Sequence, residues 1–286
     1  MSFPERPDDQ TITSPRSDRV RRIASLSGRS ARRRHGLLRV EGPQAVRSLL
    51  QHRPDALGEL FLTQEAAAAH PELAALAAQA GHRPRRIEPE ALRAMVREQD
   101  AEGALQNPQG VVATARTAAL DLPLAAALAG LPAGPSSILV LHELRDPGNA
   151  GTLIRTADAA GADLVILTAG SVDVHAPKVV RASVGSLFHL GVVTGADPAT
   201  LYRDLAAAGV SIAATSGYAA SDLFGTALPP RIAWVMGNEA HGLPDAVLEI
   251  ADLAVRIPLA GNAESLNVAT AATVCLFESL RRRGDP

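Results

Sequence analysis

Short apolar runs alternate with longer segments of helical spacing through the second half of the chain. Six of these runs predict strands, at residues 138–143, 163–167, 189–193, 210–214, 232–236 and 253–257. Continuous apolar strands separated by helices are typical of a parallel sheet whose two faces are both covered. The pattern therefore predicts an α/β domain over residues 137–286.

The first half of the chain predicts a smaller α/β domain over residues 30–115. Helical spacing in GPQAVRSLLQ, in the alanine-rich stretch 71–80 and in PEALRAMVRE alternates with two strand-like runs, LGELFLT and GVVATA. This alternation indicates helices packed on a small sheet.

The segments beside this domain have a different character. Residues 1–15 lack periodicity and are expected to be a disordered tail, whereas apolar spacing over residues 16–27 predicts a short amphipathic helix. Residues 1–29 together form the predicted basic, partly disordered extension. Residues 116–136 contain three prolines and predict a linker with one short helix.

Composition favours a soluble globular protein. Of the 286 residues, 47% are hydrophobic and 20% are charged. The single cysteine, Cys275, excludes an internal disulfide framework and fits a reducing compartment. There is neither an apolar N-terminal signal segment nor a run of about 18 apolar residues. We therefore expect a cytoplasmic protein without a membrane partner.

Positive charge is concentrated near the N-terminus, although the net charge is only −2. Eight arginines lie between Arg16 and Arg34, against one acidic residue, Asp18. Arginine binds phosphate through a planar, bidentate fork, so the segment is a candidate nucleic-acid surface. Charge alone leaves open the alternative of a solvated helix face.

The loop after the first predicted strand of the second domain reads RDPGNAGTLIRTADAAG. It has neither the G-x-G-x-x-G spacing of a dinucleotide fold nor the Lys-Ser/Thr of a P-loop. We expect Pro147 and Gly148 to form a turn and Asn149 to cap the following helix. Arg155 then lies one turn after Gly151, either as a ligand-binding group or as an ordinary surface arginine.

Two further loops with similar composition follow later strands. MGNEAHGLP, at residues 236–244, offers Asn238 and Glu239 beside glycines that allow close approach of a ligand. In IPLAGNAESLN, Ser265 or Glu264 is expected to cap a long helix whose first turn contains Asn267. Parallel strands deliver their carboxyl ends to one edge, so the three loops predict one ligand site. No histidines or carboxylates stand at metal-ligand spacing, and we expect no metal.

These three loops resemble the motifs of the SpoU (TrmH) branch of the SPOUT superfamily, the AdoMet-dependent RNA ribose 2′-O-methyltransferases. The resemblance rests on NAGTLIRTADAAGA, MGNEAHGL and IPLAGNAESLNVATAA, in this order, and covers about residues 138–283. RRRHGLLRVEGPQAV is similar to the ribosomal-protein-like RNA-binding domain that many members carry ahead of the catalytic one.

The resemblance implies a deep trefoil knot in the second domain, with S-adenosyl-L-methionine (AdoMet) bound there and no metal. It implies homodimers whose interface lies at the active site. By motif position, the residues expected to bind AdoMet, largely through backbone groups, are Thr215, Gly217, Gly237, Ile257, Leu259 and Leu266.

The resemblance also implies catalytic roles. Arg155 matches the arginine proposed to activate the ribose hydroxyl, and Asn149, Glu239, Ser265 and Asn267 match polar residues that orient the arginine, ribose or AdoMet. Two roles for Arg155 stay open: a base, or a cation that binds phosphate and stabilises the developing alkoxide. The candidates for RNA contact in the basic segment are Arg22, Arg32, Arg33 and Arg34.

The two-domain organisation and the basic extension over residues 1–29 favour ribosomal RNA, and 23S RNA in particular, as the expected substrate. The alternatives are a tRNA 2′-O-methyltransferase and a non-catalytic RNA-binding or ribosome-assembly factor on the same scaffold. A role in resistance to ribosome-targeting antibiotics is equally compatible with the sequence. A nicotinamide-dependent dehydrogenase is disfavoured because no G-x-G-x-x-G follows a strand.

Overall fold

The computed structural model describes residues 11–96 and 109–284, which fall into two compact units. The first unit contains the described residues up to Leu120 together with His175–His189. The second contains Asp121–Val174 and the described residues from Leu190 onward. The expected disorder of residues 1–10 concerns positions outside the described residues.

The first 120 residues form seven α-helices and four strands in the part that is described. In chain order these are α1 (Asp18–Ala24), α2 (Arg29–His35), β1 (Leu37–Glu41), α3 (Pro43–His52), β2 (Leu57–Leu62), α4 (Gln64–Ala69), α5 (Pro71–Gln79), β3 (Arg85–Arg86), α6 (Pro89–Val96), β4 (Val111–Arg116) and α7 (Thr117–Leu120). Their sheet has the order β1-β4-β2-β3, in which β4 is antiparallel to both neighbours and β3 is parallel to β2.

The remaining residues form six α-helices and seven strands in the described part. In chain order these are α8 (Leu124–Ala129), β5 (Ser136–Leu141), α9 (Pro147–Ala159), β6 (Leu164–Thr168), α10 (Pro177–Ser183), β7 (Gly191–Ala196), α11 (Pro198–Ala207), β8 (Ser211–Thr215), β9 (Ser221–Asp222), β10 (Arg231–Met236), α12 (Asp245–Ile250), β11 (Leu253–Arg256) and α13 (Val268–Arg283). Helix α10 belongs to the first unit.

The second-unit sheet has the order β7-β6-β5-β10-β8-β11-β9, and every neighbouring pair is parallel. Each of the six predicted runs overlaps one of its strands, whereas the two-residue strand β9 was not predicted. Strand order does not by itself define a knot, so the trefoil knot stays a prediction.

Helices cover both faces of this sheet, as predicted. On one face, Val140 and Val235 belong to an apolar core that also contains Leu205 of α11 and Val247 of α12. Trp234 points to the opposite face, because neighbouring strand residues alternate. Its indole nitrogen donates a 2.8 Å hydrogen bond to the Ser279 hydroxyl on α13, and α13 packs against α9.

The predicted amphipathic helix is present as α1 and is an integral part of the first unit. Val20 and Ile23 are fully buried in a core that includes Phe61 of β2 and Met95 of α6. Upstream of α1, the Ile12 amide donates to the Arg86 carbonyl at 2.9 Å. The expected disorder of the tail therefore fails for Ile12, because its backbone pairs beside strand β3.

Two segments depart from the predicted domain boundaries. Residues 175–189, predicted within the second domain, pack with the first unit because α10 lies against β1 and Arg181 pairs with Glu41 at 3.3 Å. The predicted linker contains two short helices instead of one, α7 in the first unit and α8 in the second. No helix in the described ranges combines the length and apolar character needed to span a membrane.

Candidate active site

Three adjacent parallel strands of the second unit deliver their carboxyl ends to one edge. Strand β8 lies between β10 and β11, and its last residue, Thr215, is opposite Val255 of β11. The residues that follow these strands therefore come to the same edge. Thr215, Gly217, Gly237 and Ile257, four of the six residues expected to bind AdoMet, lie at or directly after the ends of these strands.

The loop after β10 is a tight turn built on glycine. The Asn238 amide donates to the Gly242 carbonyl at 3.1 Å, and the Gly242 amide donates back to the Asn238 carbonyl at 2.8 Å. A Cβ on Gly237 would lie 2.3 Å from the Gly242 carbonyl carbon, so a larger residue does not fit. The Asn238 side chain donates to the Glu143 carbonyl at 2.9 Å, which joins this loop to the one after β5.

A chain of three polar side chains links all three predicted loops. The Asn267 side-chain amide donates to the Asn149 side-chain oxygen at 3.2 Å, and the Asn149 amide donates to Glu239 Oε1, also at 3.2 Å. Glu239 also accepts from two backbone amides, those of Asp146 at 3.1 Å and Arg145 at 3.3 Å. The structure therefore joins three of the five predicted catalytic residues directly.

The hydrogen bonds around Glu239 favour its ionised form. Partial burial by itself raises the pKa of this carboxyl, but the hydrogen bonds outweigh burial and the net pKa is lowered from 4.5. The donors are backbone amides and the Asn149 side chain. An ionised carboxylate accepts hydrogen bonds only, so Glu239 fixes the direction in which the Asn149 amide donates.

The helix caps at this site differ from those predicted. The N-cap of α9 is Asp146, whose side chain accepts the Asn149 amide at 2.7 Å, and Pro147 is the first helical residue. The prediction of Asn149 as the cap was wrong because proline is favoured at the first helical position, which makes the preceding residue the cap. Asn149 lies in the first turn, where its side chain reaches Glu239.

The cap of α13 was also predicted wrongly. Asn267, and neither Ser265 nor Glu264, is the N-cap, and its Oδ1 accepts the Ala269 amide at 2.9 Å. Its amide nitrogen is therefore directed away from the helix and donates to Asn149. One side chain both starts the helix and joins the polar chain.

Arg155 lies on the same helix as Asn149 but outside this polar chain. Six residues separate the two along α9, which corresponds to about 9 Å along the helix axis. The Arg155 side chain is exposed, and within residues 11–96 and 109–284 it forms neither a hydrogen bond nor an ion pair. Gly151 and Thr152, one turn earlier, lie on its face of the helix.

The segment after β11 contains the other predicted site residues. Ser265 is exposed, Leu259 is 39% exposed and Leu266 is half-buried. The side chain of Ser265 hydrogen-bonds to no residue in the described part of the chain. The structure therefore leaves Ser265 outside the Asn267–Asn149–Glu239 chain.

Two features at the end of β5 were not anticipated. Glu143 has a left-handed backbone with φ of 50°, a conformation that is uncommon for a residue other than glycine, and its amide donates to Thr168 Oγ1 at 2.9 Å. Buried His142 lies 2.7 Å from the Tyr202 hydroxyl through Nδ1, and burial lowers its pKa. Neither long-range contact has a signal in local sequence spacing.

The four predicted RNA-binding arginines have different environments in the first unit. Arg32 is buried, and its guanidinium donates to the carbonyls of Leu26 at 2.8 Å and Ser27 at 2.7 Å. We correct its expected role to a structural one, because these bonds stabilise the turn between α1 and α2. Arg33 and Arg34 are exposed, and Arg22 donates to Glu59 Oε2 at 2.9 Å.

Comparison with known proteins identifies two family regions. Residues 136–277 match the SpoU rRNA Methylase family. Residues 39–119 match the family described as RNA 2'-O ribose methyltransferase substrate binding.

Similar proteins extend over most of the chain. A relative from Bordetella pertussis (strain Tohama I), named 23S rRNA (guanosine-2'-O-)-methyltransferase RlmB, is 32% identical over 85% of this chain and 96% of its own. An AdoMet-bound rRNA methyltransferase from Sinorhizobium meliloti has a TM-score of 0.81 and 30% identity, with 96% of this chain and 98% of that one covered. The SpoU methyltransferase AviRb from Streptomyces viridochromogenes, solved with AdoMet, has a TM-score of 0.75 and 29% identity, with coverages of 94% and 98%. Taken with the family matches, these similarities show that the chain belongs to the SpoU rRNA methylase family.

Proposed function

We propose that this protein transfers the methyl group of AdoMet to a ribose 2′-hydroxyl of 23S ribosomal RNA. The observation that carries the proposal is the Asn267–Asn149–Glu239 chain, which joins the three family motifs at the edge where β8, β10 and β11 end. Support for the substrate comes from the full-length relative named a 23S rRNA methyltransferase.

The strand edge fits AdoMet. Gly217 is exposed, and a Cβ placed on it would meet nothing within 4 Å, so a ligand has room beside its backbone. Thr215 Oγ1 makes two long contacts, 3.5 Å to the Val235 carbonyl and 3.6 Å to Met236 Sδ, and remains available to a ligand. Leu259 adds a partly exposed apolar side chain after β11. When bound, AdoMet supplies an electrophilic methyl group on a sulfonium.

This chain's residues position the nucleophile and balance its charge in the proposed reaction. The Asn267–Asn149–Glu239 chain fixes the first turn of α9 and so the direction from which Arg155 reaches the ribose. Guanidinium groups stay protonated in proteins, so we favour the cation role for Arg155 over the base. As a cation it binds a phosphate of the RNA and stabilises the negative charge that develops on the ribose oxygen. In the transfer the O–C bond forms as the S–C bond of the sulfonium breaks, and the hydroxyl proton passes to solvent water.

We also propose that the protein is a homodimer. The exposed large apolar side chains of the described residues all belong to the second unit: Tyr218, Phe224, Ile250, Leu259 and Phe277. Exposed apolar side chains mark a protein interface where they form a contiguous patch. Phe277 lies on α13, the helix that Asn267 caps, which supports an interface next to the active site. A ribosomal RNA substrate would place the enzyme in the cytoplasm.

The first unit is the proposed RNA-binding part. The range matching the substrate-binding family, residues 39–119, lies almost wholly within the predicted domain 30–115. Arg22, Arg33 and Arg34 keep the RNA-binding role expected from the sequence as a proposal, and Arg32 is removed from it. The residues that follow the linker form the proposed methyltransferase domain.

The experiment that tests this function is incubation with labelled AdoMet and unmodified 16S RNA, 23S RNA and tRNA, followed by mapping of 2′-O-methyl groups. We expect one site in 23S RNA. Methylation of tRNA alone would replace the substrate with the tRNA alternative. AdoMet binding without transfer to any RNA would favour the non-catalytic binding factor.

Substitution of Arg155 tests the mechanism. We expect Arg155→Ala to lower the rate of methyl transfer by about 100-fold or more while AdoMet affinity is retained, because a positioned charge is lost in the transition state. The matched control is Arg203→Ala, since Arg203 is an exposed helical arginine on α11. Near-normal transfer by Arg155→Ala would contradict both roles considered for this residue.

A further inference from the structure

The chain contains a helical segment ahead of both regions that match known families. The substrate-binding match begins at residue 39, whereas α1 and α2 lie at Asp18–Ala24 and Arg29–His35. This N-terminal arm, defined here as residues 11–35, belongs to the same compact unit as the substrate-binding region. Its function is therefore not described by the family matches.

The arm is firmly attached to the first unit. Val20, Ile23 and Leu26 are buried, with at most 1% of each side chain exposed. Ser17 caps α1 by accepting the Val20 amide, and Gly36 ends α2 in a left-handed conformation with φ of 62°. Burial of three aliphatic side chains contributes on the order of 5 kcal/mol before entropy costs. The arm is thus a preorganised surface.

Arg32 makes the arm rigid from within. Its guanidinium donates to two carbonyls in the turn between α1 and α2, and only 4% of the residue is exposed. These carbonyls would otherwise lack helical partners where the chain changes direction. Arg32 therefore has a structural role, whereas its neighbours Arg33 and Arg34 face solvent.

The solvent-facing side of α2 is positively charged without internal compensation. Arg29, Arg33 and Arg34 are exposed, and none of them pairs with a carboxylate of the described residues. Arg29 and Arg33 are four residues apart on one face, where like charges destabilise a helix. The sequence of α2, RSARRRH, contains no acidic residue. Such a local conflict is expected where an external anion completes the surface.

Arg21 on α1 gives a contrast within the same arm. It is exposed, but its guanidinium donates to Asp18 Oδ1 one turn earlier, so its charge is balanced locally. Arg22 instead donates to Glu59, a carboxylate that also pairs with Arg19 and Arg85. Of the arm's exposed arginines without a carboxylate partner among the described residues, three therefore lie on α2 and one, Arg16, lies ahead of α1.

We propose that the N-terminal arm is an RNA-docking surface in which Arg29, Arg33 and Arg34 bind phosphates of the RNA backbone. The inference rests on the proposed function, because it takes the substrate to be RNA. Three arginines on a rigid helix present forked donors that match phosphate oxygens at low entropic cost. The partner is RNA because the arm shares its compact unit with the substrate-binding region. Phosphate contacts carry no base specificity, so the arm adds affinity rather than site choice.

Equilibrium binding of the full chain to unmodified 23S RNA transcript, measured across about 50 to 200 mM salt, tests this proposal. The double variant Arg29→Ala/Arg33→Ala is expected to bind roughly tenfold or more weakly at low salt. The slope of log affinity against log salt should fall by about two, since two phosphate contacts are lost. Neither side chain is buried, so thermal stability should not fall.

Two arginines of the arm supply matched controls. Arg21→Ala is expected to leave the salt slope unchanged, because this arginine is already paired with Asp18. Arg32→Ala is expected to lower the unfolding temperature, because it breaks the turn between α1 and α2. If Arg21→Ala reduced the slope by about one, half of the change expected for the double variant, binding would reflect diffuse charge and the proposal would be overturned.

Two further outcomes would also overturn the proposal. One is unchanged RNA affinity in the double variant. The other is a defect seen only with vesicles of anionic phospholipid, which would indicate a membrane partner. Because the readout is binding, it is independent of catalysis. Failure of the wild-type protein to methylate any RNA would refute the proposed function, whereas intact binding by the double variant would refute only the role of the arm.

Discussion

Glu239 is the residue on which the hydrogen bonds of the candidate site converge. Its carboxylate accepts from Asn149 and from two backbone amides, which lower its pKa below 4.5 despite the opposing effect of burial. A depressed folded-state pKa means that the ionised group stabilises the protein above the unfolded-state pKa. That contribution is lost as the pH falls through the folded-state value.

We expect Glu239→Gln to lower the free energy of unfolding by about 0.5 kcal/mol at pH 7, a value discounted because this ionised side chain is exposed and screened by solvent. The difference from wild type should shrink as the pH falls below 4.5. Chemical denaturation at several pH values measures this. Glu249→Gln, an exposed substitution on α12, is the control. A difference that grew at low pH would contradict the assignment of an ionised Glu239.

Substitution of two glycines near the strand ends distinguishes an effect on ligand binding from an effect on the stability of the fold. Gly217 has open space around it, whereas a Cβ on Gly237 would overlap the Gly242 backbone. We expect Gly217→Ala to keep its stability within about 0.5 kcal/mol and to bind AdoMet at least tenfold more weakly, because the new methyl group occupies ligand space. Gly237→Ala should instead lose roughly 2–4 kcal/mol of stability through overpacking.

Calorimetric titration of AdoMet together with thermal unfolding distinguishes these two effects. Gly261→Ala is the control, since Gly261 also has nothing within 4 Å of a Cβ but lies outside the predicted cofactor set. Unchanged AdoMet affinity in Gly217→Ala would remove Gly217 from the proposed site.

The sequence predicted which residues belong to the site, but it predicted only some of their hydrogen-bond partners. Asn149, Glu239 and Asn267 were identified from their motifs, and the structure joins them. The two helix caps were misassigned. Pro147 was taken as part of a turn although proline favours the first helical position, and Ser265 or Glu264 was taken as the cap that Asn267 supplies. The hydrogen bonds between loops depend on strand order, which residue spacing does not encode.

At the scale of elements, helix α13 is anchored at both ends. Asn267 caps its first turn, and near its last turn Glu278 pairs with Arg281 and Arg282 at 2.8 and 2.6 Å. Arg282 also donates to the carbonyls of Leu223 and Phe224, both at 2.9 Å, in the segment after β9. The hydrogen bonds from Arg281, with those from Arg282, lower the pKa of Glu278 to about 2 even though burial opposes them.

We expect Glu278→Gln to lower the free energy of unfolding by about 1–2 kcal/mol at pH 7, a discounted value because Arg281 is largely exposed and screened. The depressed pKa makes this contribution present above pH 4.5 and lost progressively as the pH falls toward about 2. Urea denaturation of both proteins between these limits measures it. A constant difference between the two proteins over that range would contradict the ion-pair origin.

Strands and helices that alternate along the chain were predicted well. Elements whose position depends on contacts with residues far away in the sequence were not. The six longer strands of the second sheet were identified because each is a continuous apolar run. Strands β3 and β9 have two residues each, too few for a periodic signal. Residues 175–189 join the first unit through packing against β1 and the pairing of Arg181 with Glu41, contacts across more than 100 positions that no local window contains.

At the scale of the whole molecule, exposed apolar surface distinguishes the two units. In the described part of the chain, the large exposed apolar side chains are confined to the second unit. Phe277 on α13 is 42% exposed, and Ile250 on α12 is 50% exposed. Helices α13 and α12 lie on opposite faces of the sheet, so substitutions of these two side chains probe two different surfaces.

The proposed homodimer predicts that only one of these surfaces is required. We expect Phe277→Asp to shift the protein toward monomers in sedimentation experiments, because a charge in an apolar interface costs several kcal/mol. Ile250→Asp, the matched control, should remain dimeric. If residues of both protomers complete the active site, Phe277→Asp should also lose methyl transfer in proportion to the monomer fraction. A fully dimeric Phe277→Asp protein, or an active monomer, would contradict an interface at α13 that completes the site.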